Sequence, residues 1–343
     1  MSVTLREVAQ RAGVSTRTVS NVVNDFRHVA PDTRAKVQAA LDELNYRPNL
    51  LARSLRQGRT GIVTVLLPEL RSPYFGELSH ELVDRARGIG FTVMIDETGG
   101  DEARERALLD VAAQGGWVDG VLLSSVSLRG DELAAVVPAI PVVLLGERTA
   151  GTALDHVAID NVAAADEAVS HLIDSGRRRI VALGGRNTKA DTTSTLRLKG
   201  YRRAMRRAGL SARHVSTTGF QRVQAADAVE RLLDGSNGAG SPDAVFCFSD
   251  ELAVGVLRAL ASRGLRVPAD LAVVGFDDVE DCLFTTPSLT SVRPDKKRLA
   301  AVALELLIAR IDGGSGPARD VRVDHELVVR ESSSPPRRGR RAR

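Results

Sequence analysis

The chain has 343 residues, of which 43% are hydrophobic, so it can bury sizeable cores and is expected to form two or three domains. No apolar run reaches the roughly 18 residues that a membrane-spanning helix needs, and the polar N-terminus lacks the pattern of a secretory signal. The net charge of +4 is unevenly distributed: residues 1–60 carry +5, residues 331–343 carry +4, and the segment between them carries −5. A basic end on an acidic body is typical of a protein that presents one end to nucleic-acid phosphates.

Residues 4–23 predict two short helices joined by a tight turn. Thr4 and Glu7 form a capping box, in which the hydroxyl and the carboxylate each satisfy an unpaired amide at the helix start. Gly13 can adopt the left-handed backbone that ends a helix, and Ser15 can cap the next one. Both helices carry apolar residues at helical spacing: Leu5, Val8, Ala9 and Ala12 in the first, and Val19, Val22 and Val23 in the second. This pattern is typical of a helix-turn-helix.

The second of these helices has a polar face that suits DNA. Its side chains can hydrogen-bond to base edges or to phosphates. Thr16 has an alternative role, because it could add a second cap to the helix. The face consists of Thr16, Arg17, Ser20 and Asn21.

A third helix and then a marginal fourth helix are predicted downstream. Pro31 suits the first turn of a helix, and Asp32 is favourable at its positive end. Residues 49–56, after Pro48, would form about two turns, and isolated helices that short are marginal in water. We therefore expect this segment to need a partner in order to fold. The apolar stripe of the third helix consists of Val37, Ala40, Leu41 and Leu44.

From residue 61 onward, apolar strands alternate with amphipathic helices. This alternation predicts parallel sheets covered by helices on both faces, arranged as two lobes. Ligands of such α/β sheets bind at the carboxyl ends of the strands and between domains. The predicted strands are 61–67, 91–95, 120–123, 142–145, 180–183, 244–248 and 271–275, and the predicted helices include 75–89, 102–115, 162–175, 196–208, 223–233 and 249–263.

Four side chains stand where strand ends should face the cleft. Tyr74 and Phe75 follow the first strand and could stack on an apolar ring face, although they could equally pack on the core. Arg197 begins a helix after a polar loop and offers a rigid fork of donors for hydroxyls or carboxylates; the alternative is a surface arginine. Asp277 follows a strand and could accept bonds from two hydroxyls, or it could serve only in a turn.

Several of these motifs together resemble a known family. Residues 3–60 closely resemble the headpiece of the lactose-repressor (LacI/GalR) family of bacterial transcription regulators. The matching segments are 14–24, 28–29, 45–46, 48–49 and 52–55. More loosely, the resemblance extends to about residue 330. It implies an N-terminal all-α helix-turn-helix headpiece followed by an α/β two-lobed core like that of type I periplasmic binding proteins.

The resemblance also implies a division into domains. The headpiece would occupy residues 1–48, the hinge helix and linker 49–60, and the two-lobed effector-binding and dimerisation core 61–331. A basic, disordered tail would occupy 332–343. The first lobe would use about 61–160 and 291–319, and the second about 161–290 and 320–331, so that the chain crosses between the lobes three times.

On DNA, the resemblance places a recognition helix in the major groove and a hinge helix in the minor groove. Arg17 would read a guanine, and Leu55 would wedge between base steps with Ala52 packed nearby. The alternative for Leu55 is a linker residue that packs on the core. The full expected DNA-contacting set is Thr4, Leu5, Ser15, Thr16, Arg17, Ser20, Asn21, Asn24, His28, Asn49, Ala52 and Leu55.

In the cleft, Arg197 and Asp277 match effector-binding residues of the family. Phe220 matches a position that often carries an aromatic side chain lining the pocket, and Thr193 could add a hydroxyl. Ser249 departs from the pattern, because the family commonly has Asn there. The expected effector set is completed by Tyr74 and Phe75.

These features predict a homodimeric DNA-binding transcriptional repressor of sugar uptake or catabolism genes. A small effector between the lobes, with a sugar as the first choice, would release it from a near-palindromic operator or recruit it there. A nucleobase, a nucleoside or a phosphorylated sugar stays open as effector, as does regulation by a protein. A less favoured alternative is a solute-binding protein.

No enzymatic motif accompanies this pattern. The sequence lacks a phosphate-binding loop with Lys-Ser/Thr, and its six histidines have no metal-ligand spacing. We therefore expect no catalytic activity, no cofactor and no metal. Cys247 and Cys282 are far apart in sequence, which favours two buried thiols in a reducing cytoplasm. A cytoplasmic, nucleoid-associated protein is expected.

Overall fold

The computed structural model describes residues 3–23, 26, 28–46, 59–125, 128, 133, 139–146, 153–185, 192–235 and 240–334. Contacts between Cα atoms divide the chain into two compact units, Met1–Thr60 and Gly61–Arg343. The first is called the headpiece below and the second the body.

The described part of the headpiece contains three helices: α1 (Leu5–Ala12), α2 (Thr16–Val23) and α3 (Pro31–Glu43). The predicted capping box is present, since the Thr4 amide donates to Glu7 Oε2 at 2.7 Å and the Glu7 amide donates to Thr4 Oγ1 at 3.3 Å. Gly13 ends α1 with a φ of 68°, in the left-handed region. Ser15 caps α2 by accepting from the Thr18 amide at 3.1 Å. The core that joins the helices centres on Val8, Val19 and Val37, all fully buried.

The first lobe of the body is built on a six-stranded parallel sheet. The strand order is β11-β5-β4-β3-β1-β2. Its strands are β1 (Ile62–Leu67), β2 (Thr92–Glu97), β3 (Gly120–Leu123), β4 (Val142–Leu145), β5 (Asp155–Ile159) and β11 (Asp320–Val323). Its described helices include α4 (Pro73–Gly88), α5 (Glu102–Gly115) and α11 (Lys296–Ile311).

The second lobe has a sheet of the same size, in which only the β10–β12 pair is antiparallel. The strand order is β12-β10-β9-β8-β6-β7. Its strands are β6 (Ile180–Leu183), β7 (Arg213–Val215), β8 (Ala244–Cys247), β9 (Ala272–Phe276), β10 (Thr290–Pro294) and β12 (His325–Val328), and its helices are α6 (Asn161–Asp174), α7 (Thr193–Arg207), α8 (Arg222–Asp234), α9 (Asp250–Ser262) and α10 (Asp281–Phe284). The predicted two-sheet α/β architecture is confirmed.

Three connections link the two lobes, and two of them lie later than expected. The first follows β5. The second lies between β10 and α11 rather than near residue 290, because β10 pairs with β9 and β12. The third lies between β11 and β12 rather than near residue 319, because β11 pairs with β5. The last two links run side by side, with the Asp295 amide donating to the Asp324 carbonyl oxygen at 3.1 Å.

Strand β5 was not among the predicted strands, because its sequence starts with polar residues. Asp155 and His156 are nevertheless almost completely buried. Arg310 of α11 satisfies the Asp155 carboxylate with bonds of 2.7 and 3.0 Å, and His156 Nδ1 lies 2.9 Å from Asp320 Oδ1. These partners are distant in sequence, so an apolar pattern could not reveal the strand.

The expectation of a disordered tail starting at residue 332 was wrong for its first residues. Ser332 and Ser333 are buried in the second lobe. Ser332 Oγ donates to the Val273 carbonyl oxygen at 2.6 Å and accepts from the Thr290 amide at 2.8 Å. The Ser333 hydroxyl lies 2.8 Å from His171 Nε2. Small hydroxyl side chains here satisfy buried polar groups, which composition alone could not show. The basic residues 337–343 lie outside the described residues.

The sequence also predicts that no helix spans a membrane and that the two cysteines are buried thiols. Among the helices that the structure describes, none has the length and apolar character needed to cross a bilayer. Cys247 and Cys282 are free and buried, as expected.

Gly200 sets the spacing between α6 and α7, the helices that begin near the candidate site. A Cβ atom at Gly200 would overlap the Val162 carbonyl oxygen and would lie 2.8 Å from Ala165 Cβ. We expect Gly200→Ala to lower the free energy of unfolding by about 1–3 kcal/mol, because α7 would have to move away. Gly88→Ala is the matched control: it has open space around it and should be neutral or stabilising by about 0.4–1 kcal/mol. Urea unfolding of both variants measures this, and equal effects would show that the close approach is not a constraint.

Candidate functional site

Arg197 lies at the centre of a buried polar network in the second lobe. It projects from the first turns of α7 and is 8% exposed. Its Nε donates to Asn161 Oδ1 at 3.0 Å, and its Nη1 donates to the Phe248 carbonyl oxygen. The guanidinium also lies over the Phe276 ring, with Cζ 3.5 Å from the ring centre. These contacts fix the orientation of the guanidinium and place it at the carboxyl ends of β8 and β9.

Asp277 is the acidic partner in this network. It directly follows β9 with a φ of 110°, a backbone conformation that is uncommon for residues other than glycine and better tolerated by Asp and Asn. Arg197 Nη2 lies 3.4 Å from Asp277 Oδ1. Burial raises the pKa of Asp277 above the ordinary carboxyl value, whereas the positive charges of Arg197 and Lys296 oppose this rise.

The first lobe contributes Tyr74 and Phe75 to this site. They stand at the start of α4, and their rings meet edge to face with centroids 5.1 Å apart. The pKa of Tyr74 is raised by burial and by the negative charge of Asp277, and it is lowered by Arg197. The phenol is thus within electrostatic range of both second-lobe residues. The structure therefore brings together four of the seven predicted effector residues.

Two further residues join the lobes next to Asp277. Glu77 of α4 accepts from the Glu280 amide at 2.8 Å and forms an ion pair of 2.5 Å with Lys296 at the start of α11. Lys296 Nζ also donates to the Asp278 carbonyl oxygen at 3.2 Å. The loop 277–280, which carries Asp277, is thereby bound to two helices of the first lobe.

The other three predicted effector residues have local structural contacts. Ser249 caps α9 by accepting from the Leu252 amide at 3.3 Å, and it follows Phe248, whose carbonyl oxygen binds Arg197. Thr193 is the first residue of α7, next to the capping Thr192. Phe220 is half-buried and packs against the core of the second lobe.

Asp250 is a buried carboxyl group just behind the site. Its Oδ1 accepts from Ser291 Oγ at 2.6 Å and its Oδ2 accepts from the Val279 amide at 3.0 Å. Burial raises its pKa, and the negative charge of Asp277 raises it further. Asp250 thus supports the backbone of the loop 277–280 from inside the lobe.

Sequence reasoning missed Asn161, Lys296 and Glu77 as parts of this network. Asn161 follows β5, so recognition of that strand would have placed an amide at a strand end. Lys296 and Glu77 lie 219 positions apart, and no local pattern links them.

In the headpiece, the predicted recognition face is accessible. Ser15, Thr16 and Arg17 are exposed, whereas Ser20 and Asn21 are half-buried. His28 is exposed, and its ring lies edge-on to Phe26, with centroids 5.6 Å apart. Thr4 is engaged in the capping box, and Leu5 packs against the headpiece core. The remaining predicted DNA contacts fall outside the described residues: Asn24, Asn49, Ala52 and Leu55, with the hinge segment 49–56.

Comparison with known proteins identifies the family. Residues 4–49 match the family described as bacterial regulatory proteins, lacI family, and residues 169–333 match the periplasmic binding protein-like domain. The chain is 37% identical to the ribose operon repressor of Escherichia coli over 312 residues, which cover 90% of this chain and 93% of the relative. The chain belongs to the LacI family. It is therefore a DNA-binding transcriptional repressor and not an enzyme.

Other relatives agree with this assignment over nearly the whole chain. The repressor PurR of Photobacterium profundum is 32% identical over 333 residues, or 96% of this chain and 98% of the relative. The Lac repressor dimer bound to operator and an anti-inducer superposes with a TM-score of 0.84 at 27% identity, covering 97% of this chain and 99% of that chain. The CelR–cellobiose complex gives a TM-score of 0.70 at 31% identity, covering 96% and 99%.

Asp250 predicts a pH dependence of stability. A carboxyl group whose pKa is raised by folding keeps its proton where the unfolded chain has lost it, so the free energy of unfolding falls as the pH rises from 3.8 through the raised pKa. Asp250→Asn should flatten this fall, because the amide keeps the shape without titrating. Urea unfolding between about pH 5 and pH 9 measures it. The exposed Asp227→Asn should follow the wild-type curve, and an Asp250→Asn curve parallel to wild type would contradict the assignment.

Proposed function

We propose that this protein is a homodimeric repressor of sugar uptake or catabolism genes, whose affinity for a near-palindromic operator is changed by a sugar bound between the lobes. The observation that supports it most directly is the buried Arg197–Asp277 pair, within electrostatic range of Tyr74 of the other lobe, in a chain with a LacI-family headpiece. A carboxylate and a guanidinium beside aromatic rings suit a ligand with several hydroxyls and an apolar ring face.

At the DNA, Arg17 would read a guanine through O6 and N7, and Thr16 and Asn21 would read or position neighbouring bases. Phosphate contacts would come from the remaining polar residues of the headpiece: Thr4, Ser15, Ser20, Asn24 and His28. The interface would be completed by the backbone near Leu5 and by the side chains of Asn49, Ala52 and Leu55. Leu55 would enter the minor groove at the operator centre once two hinge segments pair.

At the effector, Arg197 and Asp277 would bind hydroxyls, while Tyr74, Phe75 and Phe220 would cover the ring. Thr193 and Ser249 would add hydroxyl contacts. Effector binding would change the lobe arrangement and, through the hinge segments, the affinity for DNA. An inducer would lower this affinity and a corepressor would raise it, by the same thermodynamic linkage.

Exposed apolar side chains of the second lobe support a second copy of the chain as partner. Val223 at the start of α8 is 71% exposed, and Leu283 and Phe284 of α10 are 58% and 77% exposed. A patch of this kind typically marks a protein interface. We place the headpiece at residues 1–48, the hinge at 49–60 and the effector-binding core from residue 61 through the buried Ser333, in a cytoplasmic protein.

The second candidate is a regulator that responds to a nucleobase or a nucleoside. The similarity to PurR over 96% of the chain favours it, and the aromatic pair Tyr74 and Phe75 could stack on a base. The solute-binding alternative is disfavoured, because residues 4–49 match a DNA-binding family.

Substitution of Arg17 tests the proposed base recognition directly. With an operator selected from random DNA by the wild-type protein, Arg17→Ala should lose about 1–3 kcal/mol of discrimination at one symmetric base position. Lys36→Ala removes the same charge from an exposed position of α3 and should leave base preference unchanged. Binding to single-base operator variants measures this, and a uniform loss across all variants would make Arg17 a phosphate contact.

Substitution of Arg197 tests the proposed effector site. In thermal unfolding against a panel of free sugars and nucleosides, a sugar should raise the melting temperature of the wild type, and Arg197→Gln should lose that rise. Arg258→Gln, an exposed charge of the same lobe, should retain it. Stabilisation by nucleosides alone would favour the second candidate, and stabilisation that survives Arg197→Gln would remove Arg197 from the site.

A further inference from the structure

We propose that the effector is electrically neutral, so that the site binds a free polyol or nucleoside and rejects the phosphate ester of the same compound. This inference rests on the effector site of the proposed function and narrows the ligand class that the site accepts. The supporting observation is that the cations of the described site are already bound to protein groups.

Arg197, the obvious anchor for a phosphate, is already engaged on every nitrogen. Nε donates to Asn161, Nη1 to the Phe248 carbonyl oxygen and Nη2 to Asp277. One face of the guanidinium is covered by the Phe276 ring. A bidentate Arg–phosphate contact needs two parallel N–H groups, so a phosphate would compete with these protein acceptors, and above all with Asp277, for the guanidinium.

Lys296, a second described cation near Asp277, is engaged in the same way. Its ammonium forms an ion pair of 2.5 Å with Glu77 and donates to the Asp278 carbonyl oxygen at 3.2 Å. Its side chain is 11% exposed, so little of it is left for a ligand. A phosphate here would lie close to the Glu77 carboxylate.

Two of the helix starts at the site, those of α7 and α9, are capped by side chains. Anions bind at helix N-termini where amides are unpaired. The side chain of Thr192 accepts from the Thr195 amide at the start of α7, and that of Ser249 accepts from the Leu252 amide at the start of α9. The first turn of α9 also holds Glu251, whose carboxylate is paired with Arg222 at 2.7 Å.

The charges of the described site therefore cancel in pairs: Arg197 with Asp277, and Lys296 with Glu77. A phosphate ester would bring about two uncompensated negative charges into a largely buried place, where like charges interact strongly. A neutral ligand avoids this, because its hydroxyls can donate to the Asp277 carboxylate without breaking the ion pair.

The first experiment compares free compounds with their phosphates on the full-length wild type. The pairs are ribose and ribose 5-phosphate, glucose and glucose 6-phosphate, fructose and fructose 1-phosphate, and adenosine and adenosine monophosphate. For the pair that binds, the free compound should have at least about tenfold higher affinity by calorimetry. An ester that binds equally or more tightly would overturn the inference while leaving the proposed function intact. Binding of no compound would contradict the proposed small effector, and the inference with it.

The second experiment uses inorganic phosphate as the probe and needs no knowledge of the effector. Asp277→Asn keeps a residue that tolerates the positive φ but leaves Arg197 without its counter-charge. Phosphate should raise the melting temperature of this variant by about 2 °C or more beyond any rise in wild type. Asp227→Asn, an exposed position with the same charge change, should behave as wild type. A variant that gains nothing would show that the Arg197–Asp277 pairing does not set ligand charge.

Discussion

The ion pair between Arg197 and Asp277 is the interaction on which the effector site depends. The guanidinium contacts the start of α6 through Asn161, the end of β8 through Phe248 and the end of β9 through Phe276 and Asp277. A buried charge that lost its partner would be strongly destabilising, so these three elements have little freedom to move apart. The pair therefore acts as a structural centre of the second lobe as well as a set of polar groups for a ligand.

The loop 277–280 extends this constraint from one lobe to the other. Asp250 supports it from inside the second lobe, and Glu77 and Lys296 bind it from the first. A ligand that engages Asp277 therefore acts on a segment whose position both lobes already determine. This arrangement gives effector binding a physical route to the lobe arrangement, because a change at Asp277 alters contacts that cross the cleft.

The fold class could be predicted from sequence because its signals are local. Capping residues and helical spacing defined α1 and α2, and continuous apolar runs defined the central strands. The strands that could not be found this way are the edge strands β7, β11 and β12, strand β10 and the polar strand β5. Long-range pairing stabilises them, and the Arg310–Asp155 contact further stabilises β5. Arg197, Asp277, Tyr74 and Phe75 were predicted from strand ends and family resemblance. Asn161, Glu77 and Lys296 were not, because their roles arise only from tertiary contacts.

The interleaved path of the chain has a consequence for how the body can be divided. The first lobe contains β1–β5 and takes back α11 and β11, whereas the second takes β10 and β12. No single cut of the backbone therefore releases a complete lobe, and a fusion that exchanges one lobe with that of a relative needs three junctions. The paired links at Asp295 and Asp324 would have to be exchanged together, which makes the body one indivisible module for recombination.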